Sequence, residues 1–139
     1  MGLAKDPEQY RCGIAFGAVS DPRFMFEFHW NDIDRDGKSF SLPVMLGDLK
    51  TDEAMLAANS PLVQAHRIKS PLLLVHGSVD RRVPIQNAER MRDALRKSGK
   101  DFELVVYADE GHGFKYIKNE LDHWRRVEAF LAKHLGQPK

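Results

Sequence analysis

The chain has 139 residues, 42% of them hydrophobic and 9% aromatic, with 21 Lys plus Arg against 20 Asp plus Glu. That length fits one domain or part of one, and the hydrophobic content disfavours disorder. A formal net charge of +1 with both signs interspersed provides no basic field, which argues against nucleic acid or an anionic membrane surface as a partner. No apolar run approaches the ~18 to 20 residues of a spanning helix, and Met1 to Arg11 hold no signal-peptide core. A cytoplasmic protein is the favoured expectation, with the compartment open because a leader upstream would not be seen. The single cysteine, Cys12, excludes an intrachain disulfide framework and a cysteine-based zinc site.

In chain order, residues 1 to 9 read as the last turns of a helix ending near Pro7. Tyr10 to Phe16, closed by Gly17, reads as a buried strand. Residues 20 to 50 are irregular, aromatic and Asp-rich, and a short helix over Thr51 to Ala58 precedes the turn Asn59-Ser60-Pro61. The apolar run Leu72 to Val75, bounded by Pro71 and Gly77, predicts a strand buried on both faces of a parallel sheet. Pro84 then opens a helix whose Ile85, Ala88, Met91 and Leu95 share a face, with Gly99 as its stop. Phe102 to Tyr107 is a second clear strand. Leu121, Trp124, Val127, Leu131 and Leu135 line one face of a final helix ended by Gly136. Strand, helix, strand, helix in this order specifies βαβ units, so about three parallel strands with flanking helices make an α/β fold.

Ligand sites of open α/β sheets lie outside the carboxyl ends of the strands, where the loops converge. The loop after Val75 carries Asp80, and the loop after Tyr107 carries His112 between Gly111 and Gly113. A carboxylate beside an imidazole fixes the ring tautomer and stabilises the imidazolium formed when the ring takes a proton. Each residue alone reads better as a turn or loop residue. Placed after consecutive parallel strands, the two together favour an acid and a base.

The segments HGSVDRRVP and FELVVYADEGHGF, followed by a final amphipathic helix, resemble the C-terminal part of prolyl oligopeptidase family serine peptidases, nearest the bacterial dipeptidyl and acylaminoacyl peptidase-like branch. NSPLVQAHRIKSPLLLVHG and MGLAKDPEQYRCGIAFGAVSD extend the resemblance over nearly the whole chain. It implies a partial α/β-hydrolase fold with Asp80 and His112 as acid and base of a Ser, Asp, His triad. It also implies Val83 in the primary specificity pocket, Arg82 facing a peptide substrate, and no cofactor. Such enzymes order the triad Ser, then Asp, then His, with the Ser in a G-x-S-x-G elbow. None of Ser20, Ser39, Ser41, Ser60, Ser70 or Ser78 has that context. Residues 1 to 139 are therefore expected to be the C-terminal part of a peptidase catalytic domain, with the elbow and the family's propeller upstream. A non-catalytic truncated or interaction module, and an esterase or dienelactone hydrolase-like enzyme, are the alternatives. An unpaired first strand would promote self-association.

Other motifs favour plainer readings. Asp32 to Gly37 matches the start of an EF-hand loop, but its twelfth position is Pro43 instead of Glu, so no metal site is expected. Phe24, Phe26, Phe28 and Trp30 alternate as in a half-buried strand. His29, His66, His123 and His134 lack metal spacing and read as surface or boundary residues. His76 reads as a hydrogen-bonded core histidine and Cys12 as a buried thiol. Arg90, Arg92, Arg96, Lys97 and Lys100 read as a solvated helix face.

Overall fold

A computed structural model describes residues 1–28 and 32–136 of the chain. The apolar run after Pro71 forms strand β2, Leu72–Gly77, with all of its residues buried. It lies between β1, Gly13–Phe16, and β3, Phe102–Tyr107, in a three-stranded sheet of order β1-β2-β3. Both pairings are parallel, with Gly13 beside Leu72 and Leu72 beside Phe102. The α/β expectation is met. The first strand starts later than expected, at Gly13 instead of Tyr10. Gly13 N–H bonds the Pro71 carbonyl, and Pro71 has no N–H with which to continue the parallel ladder toward Arg11.

Among the described residues six α-helices accompany this sheet: α1 (Gly2–Lys5), α2 (Phe24–Glu27), α3 (Leu42–Leu46), α4 (Glu53–Ala58), α5 (Gln86–Lys97) and α6 (Ile117–Leu135). Side chains of a strand alternate between faces, so β2 feeds two cores. Leu72 and Leu74 meet Ala4 of α1, Ala65 and Ile68, and Met91 and Leu95 of α5 on one face. Leu73 and Val75 meet Tyr107 and Phe130 of α6 on the other. The expected face of α5 is buried at Ala88, Met91 and Leu95. Its stop works as the sequence suggests: Gly99 takes φ +62°, and the N–H groups of Lys100 and Gly99 return to the Leu95 and Arg96 carbonyls.

Two local expectations are overturned. Phe24 to Phe28 is not a strand. Asp21 accepts the Arg23 N–H and guanidinium, and Phe24 N–H bonds the Asp21 carbonyl, which starts a helical turn just after Pro22. The same apolar positions also satisfy i, i+4 spacing, and Phe24 and Phe28 are both buried with ring centroids 6.0 Å apart. Trp30 and His29 lie outside the described residues. The final helix is also rotated from its expected orientation. His123, Val127 and Phe130 face the sheet, whereas Leu121 and Trp124 are 51% and 58% exposed. His123 is thus buried, not a surface residue, because it packs on Phe16 and Phe114. No helix among the described residues is long and apolar enough to cross a membrane.

Candidate active site

All three strands run the same way, so the loops leaving β1, β2 and β3 meet at one edge of the sheet. There the His112 Nδ1 lies 2.8 Å from Asp80 Oδ2. A carboxylate only accepts, so Nδ1 carries the proton and a neutral ring keeps its lone pair on Nε2. Asp80 is buried, 4% exposed, and its second oxygen accepts the N–H groups of Arg82 and Val83, each at 2.9 Å. Four polar contacts therefore surround this carboxylate once His76 Nε2, 3.6 Å from Oδ2, is included. The His112 side chain is 36% exposed, open enough for a proton to be exchanged with a reactant.

The loops carrying the pair are laced to one another. Val79 N–H bonds the Glu110 carbonyl at 3.1 Å, Ser78 N–H bonds the Tyr107 carbonyl at 2.9 Å, and the Ser78 hydroxyl donates to the Ala108 carbonyl. This approach is so close that a Cβ on Gly77 would sit 2.2 Å from the Glu110 carbonyl oxygen. Only glycine fits there. Gly17, at φ +55°, underlies the pair from the loop after β1, where a Cβ would be 3.1 Å from the His112 ring and 3.6 Å from Asp80 Oδ2.

Glu110 fixes the loop that carries His112. Its buried carboxylate accepts the N–H of Lys115 at 2.7 Å and of Tyr116 at 3.0 Å, and the Asn119 amide at 2.8 Å. Burial pushes its pKa up, but these bonds outweigh burial and hold it below the ordinary range. Next to it, Phe114 stacks on Phe16 and packs on His123. Burial pushes the His123 imidazole down, against the upward pull of Asp122 and Glu120. On the other side, Asn87 at the start of α5 accepts the Ser20 N–H, tethering the loop after β1.

A shallow depression of about 370 Å³ opens beside His112, lined by Asp32, Val79, Arg81, Arg82 and Gly111. Arg82 thus lies at this depression beside His112. Val83 does not line it: the residue is 6% exposed, and its backbone holds Asp80 and His76. The Asp32 to Gly37 carboxylates serve locally, with Asp34 accepting the Gly37 N–H and Asp32 beside Arg81 at 3.6 Å. No group of three His, Cys, Asp or Glu among the described residues has metal-holding geometry. His76 is a buried, hydrogen-bonded core residue as expected, Cys12 is only half-buried, and Arg90 stacks over Phe24 at 3.9 Å rather than facing solvent alone. Sequence reasoning missed Gly17, Gly77 and Glu110; the only signal for them was glycine or acid beside the site strands.

Comparison with known proteins accords with this geometry. Acylaminoacyl peptidase of Pyrococcus horikoshii superposes with a TM-score of 0.85 at 20% identity, over 99% of this chain and 22% of that one. Dipeptidyl peptidase 4 of Porphyromonas gingivalis superposes with a TM-score of 0.80 at 23% identity, over 95% and 17% respectively. The sheet and its flanking helices are thus a partial α/β-hydrolase fold. In sequence, dipeptidyl aminopeptidase BIII of Pseudoxanthomonas mexicana is 29% identical over 97% of this chain, and a putative carboxymethylenebutenolidase of Methylorubrum extorquens is 35% identical over 63% of it. The chain spans 20% of the first relative's length and 33% of the second's. Residues 1–138 match the family described as prolyl oligopeptidase, and the chain belongs to that family.

Proposed function

We propose that this chain supplies the acid and base of a serine peptidase that cleaves peptide or acyl-peptide bonds, with the nucleophilic serine contributed by sequence outside residues 1–139. The 2.8 Å contact between His112 and Asp80 at the carboxyl edge of the sheet carries this reading. In the proposed reaction His112 Nε2 takes the proton of the serine hydroxyl as its oxygen attacks the scissile carbonyl. Asp80 stabilises the imidazolium that results. The imidazolium then protonates the departing amine as the carbon–nitrogen bond breaks, leaving an acyl-enzyme. Water, deprotonated by the same nitrogen, releases the acid and restores the serine. Arg82 faces the substrate from the depression beside His112, and Val83, buried behind it, holds the Asp80 carboxylate through its N–H.

Similarity to the carboxymethylenebutenolidase favours a second reading, hydrolysis of an ester or lactone by the same residues. Kinetics of a protein that joins these residues to an in-frame upstream elbow would separate the two, using dipeptidyl and acyl-aminoacyl anilides against nitrophenyl esters. Peptidase function predicts anilide turnover that falls about 10⁴-fold in Asp80→Asn, the scale of a mis-set catalytic tautomer. Unchanged turnover in His112→Gln would contradict both readings.

A further inference from the structure

We propose that His76 is a positioning residue for the Asp80 and His112 pair, acting as its neutral Nε2–H tautomer through the Val83 carbonyl. The inference rests on the acid–base reading above and extends it to a third side chain. His76 is next to last in β2 and 1% exposed. Its Nε2 lies 2.7 Å from the Val83 carbonyl oxygen, which only accepts, so this nitrogen carries the proton. Val83 N–H in turn bonds Asp80 Oδ1 at 2.9 Å. The turn from Asp80 to Val83 is therefore fastened twice, by the carboxylate from within and by the His76 ring from below. Without the ring, a buried carbonyl loses its partner, and the turn is free to carry the carboxylate away from His112.

The same ring also lies close to the carboxylate. His76 Nε2 is 3.6 Å from Asp80 Oδ2, the oxygen that accepts from His112 at 2.8 Å. That separation is too long for a second hydrogen bond, so Oδ2 stays with His112 and the His76 N–H with the Val83 carbonyl.

Long-range ¹H–¹⁵N spectra of the 139-residue chain test this without any catalysis. The expected spectrum has His76 protonated at Nε2 alone and His112 at Nδ1 alone; His76 protonated at Nδ1 alone overturns the proposal. His76→Phe should speed water exchange of the His112 Nδ1 proton about tenfold, the scale of one lost neutral hydrogen bond, and shift that ring toward its other tautomer. His76→Gln, whose amide N–H reaches the same carbonyl, should restore both. A folded His76→Phe chain with unchanged His112 exchange and tautomer contradicts the positioning role, because mere packing would lower only the melting temperature. Should His76→Phe not fold, His76→Gln against the shorter His76→Asn gives the same contrast, and equal exchange rates overturn the proposal. Asp80→Asn separates the underlying reading: if it leaves the His112 tautomer unchanged, the acid–base pair itself fails, whatever His76 does.

Discussion

The β2 and β3 loops and the outer flanks of the sheet are built to different standards. Between Gly77 and Tyr116 backbone and side-chain groups answer one another across two loops, and the buried carboxylates of Asp80 and Glu110 are each met by at least three partners. On the flanks apolar side chains face outward: Tyr10 and Ile14 beside the open side of β1, and Ile117, Leu121 and Trp124 along α6, are each at least 36% exposed. The contrast teaches that the Asp80 and His112 pair is held by local chemistry within this chain, whereas the flanks leave apolar side chains exposed.

The largest effects should come from breaking the laced region. Gly77→Ala would force a Cβ against the Glu110 and Gly111 carbonyls, 2.2 and 2.3 Å away, and should cost several kcal/mol, about 3 or more, as a buried backbone clash in a packed core. Urea denaturation reads this directly. Leu73→Ala, at the centre of the sheet and 0% exposed, should cost about 2–5 kcal/mol from lost transfer energy and the cavity left behind. A loss under about 1 kcal/mol at either position would show that the core is loose.

Glu110→Gln sharpens the comparison through pH. Because the folded carboxyl sits below its ordinary value of 4.5, its stabilising contribution is complete above that value and is lost as pH falls through the lower folded one. The wild-type urea midpoint should therefore exceed that of Glu110→Gln at pH 7, and the gap should narrow as pH falls below 4.5. His123 acts in the same direction at higher pH. Its folded imidazole is held below 6.5, so the unfolded chain binds the proton first and stability declines as pH falls below that value. His123→Phe, an aromatic of similar size among Phe16, Phe114 and Trp124, should remove the decline that sets in below pH 6.5.

On the flanks the smallest stability effects are expected. Leu121→Gln and Trp124→Gln should change stability by no more than about 0.5 kcal/mol, as substitutions at exposed sites do. Self-association of this chain through the open side of β1 is the accompanying expectation. Sedimentation at increasing concentration should show species larger than a monomer, reduced by Ile14→Lys; a monodisperse monomer would remove the contrast between the two regions.

Legibility in the sequence followed the same division. Leu72 to Val75 was plain because a continuous apolar run between breakers has one reading in a parallel sheet, and Phe102 to Tyr107 was plain from its aromatic and β-branched content despite Glu103. Asp80 and His112 followed from their places after those strands. Phe24 to Phe28 was misread because alternating aromatics also satisfy i, i+4 spacing, and the Asp21-Pro22 start signal decides between them. The rotation of α6 was hidden because apolar residues surround it, and only the Phe16 and Phe114 rings choose the His123 face. The site roles of Gly17 and Gly77 escaped notice because they depend on distances between loops far apart in sequence, and that of Glu110 because its acceptor role shows only once residues 115 to 119 fold back onto it.

The most direct test of Asp80 and His112 as acid and base is the site and rate of fluorophosphonate labelling. The 139-residue chain should remain unlabelled at every serine, including Ser78, whose hydroxyl is committed to the Ala108 carbonyl. A protein joining these residues to their in-frame upstream sequence should label at one serine outside them, at a rate that His112→Ala lowers by at least about a hundredfold, the lower end for a lost general base. Stoichiometric labelling of any serine within residues 1–139, or a rate indifferent to His112, would contradict the account.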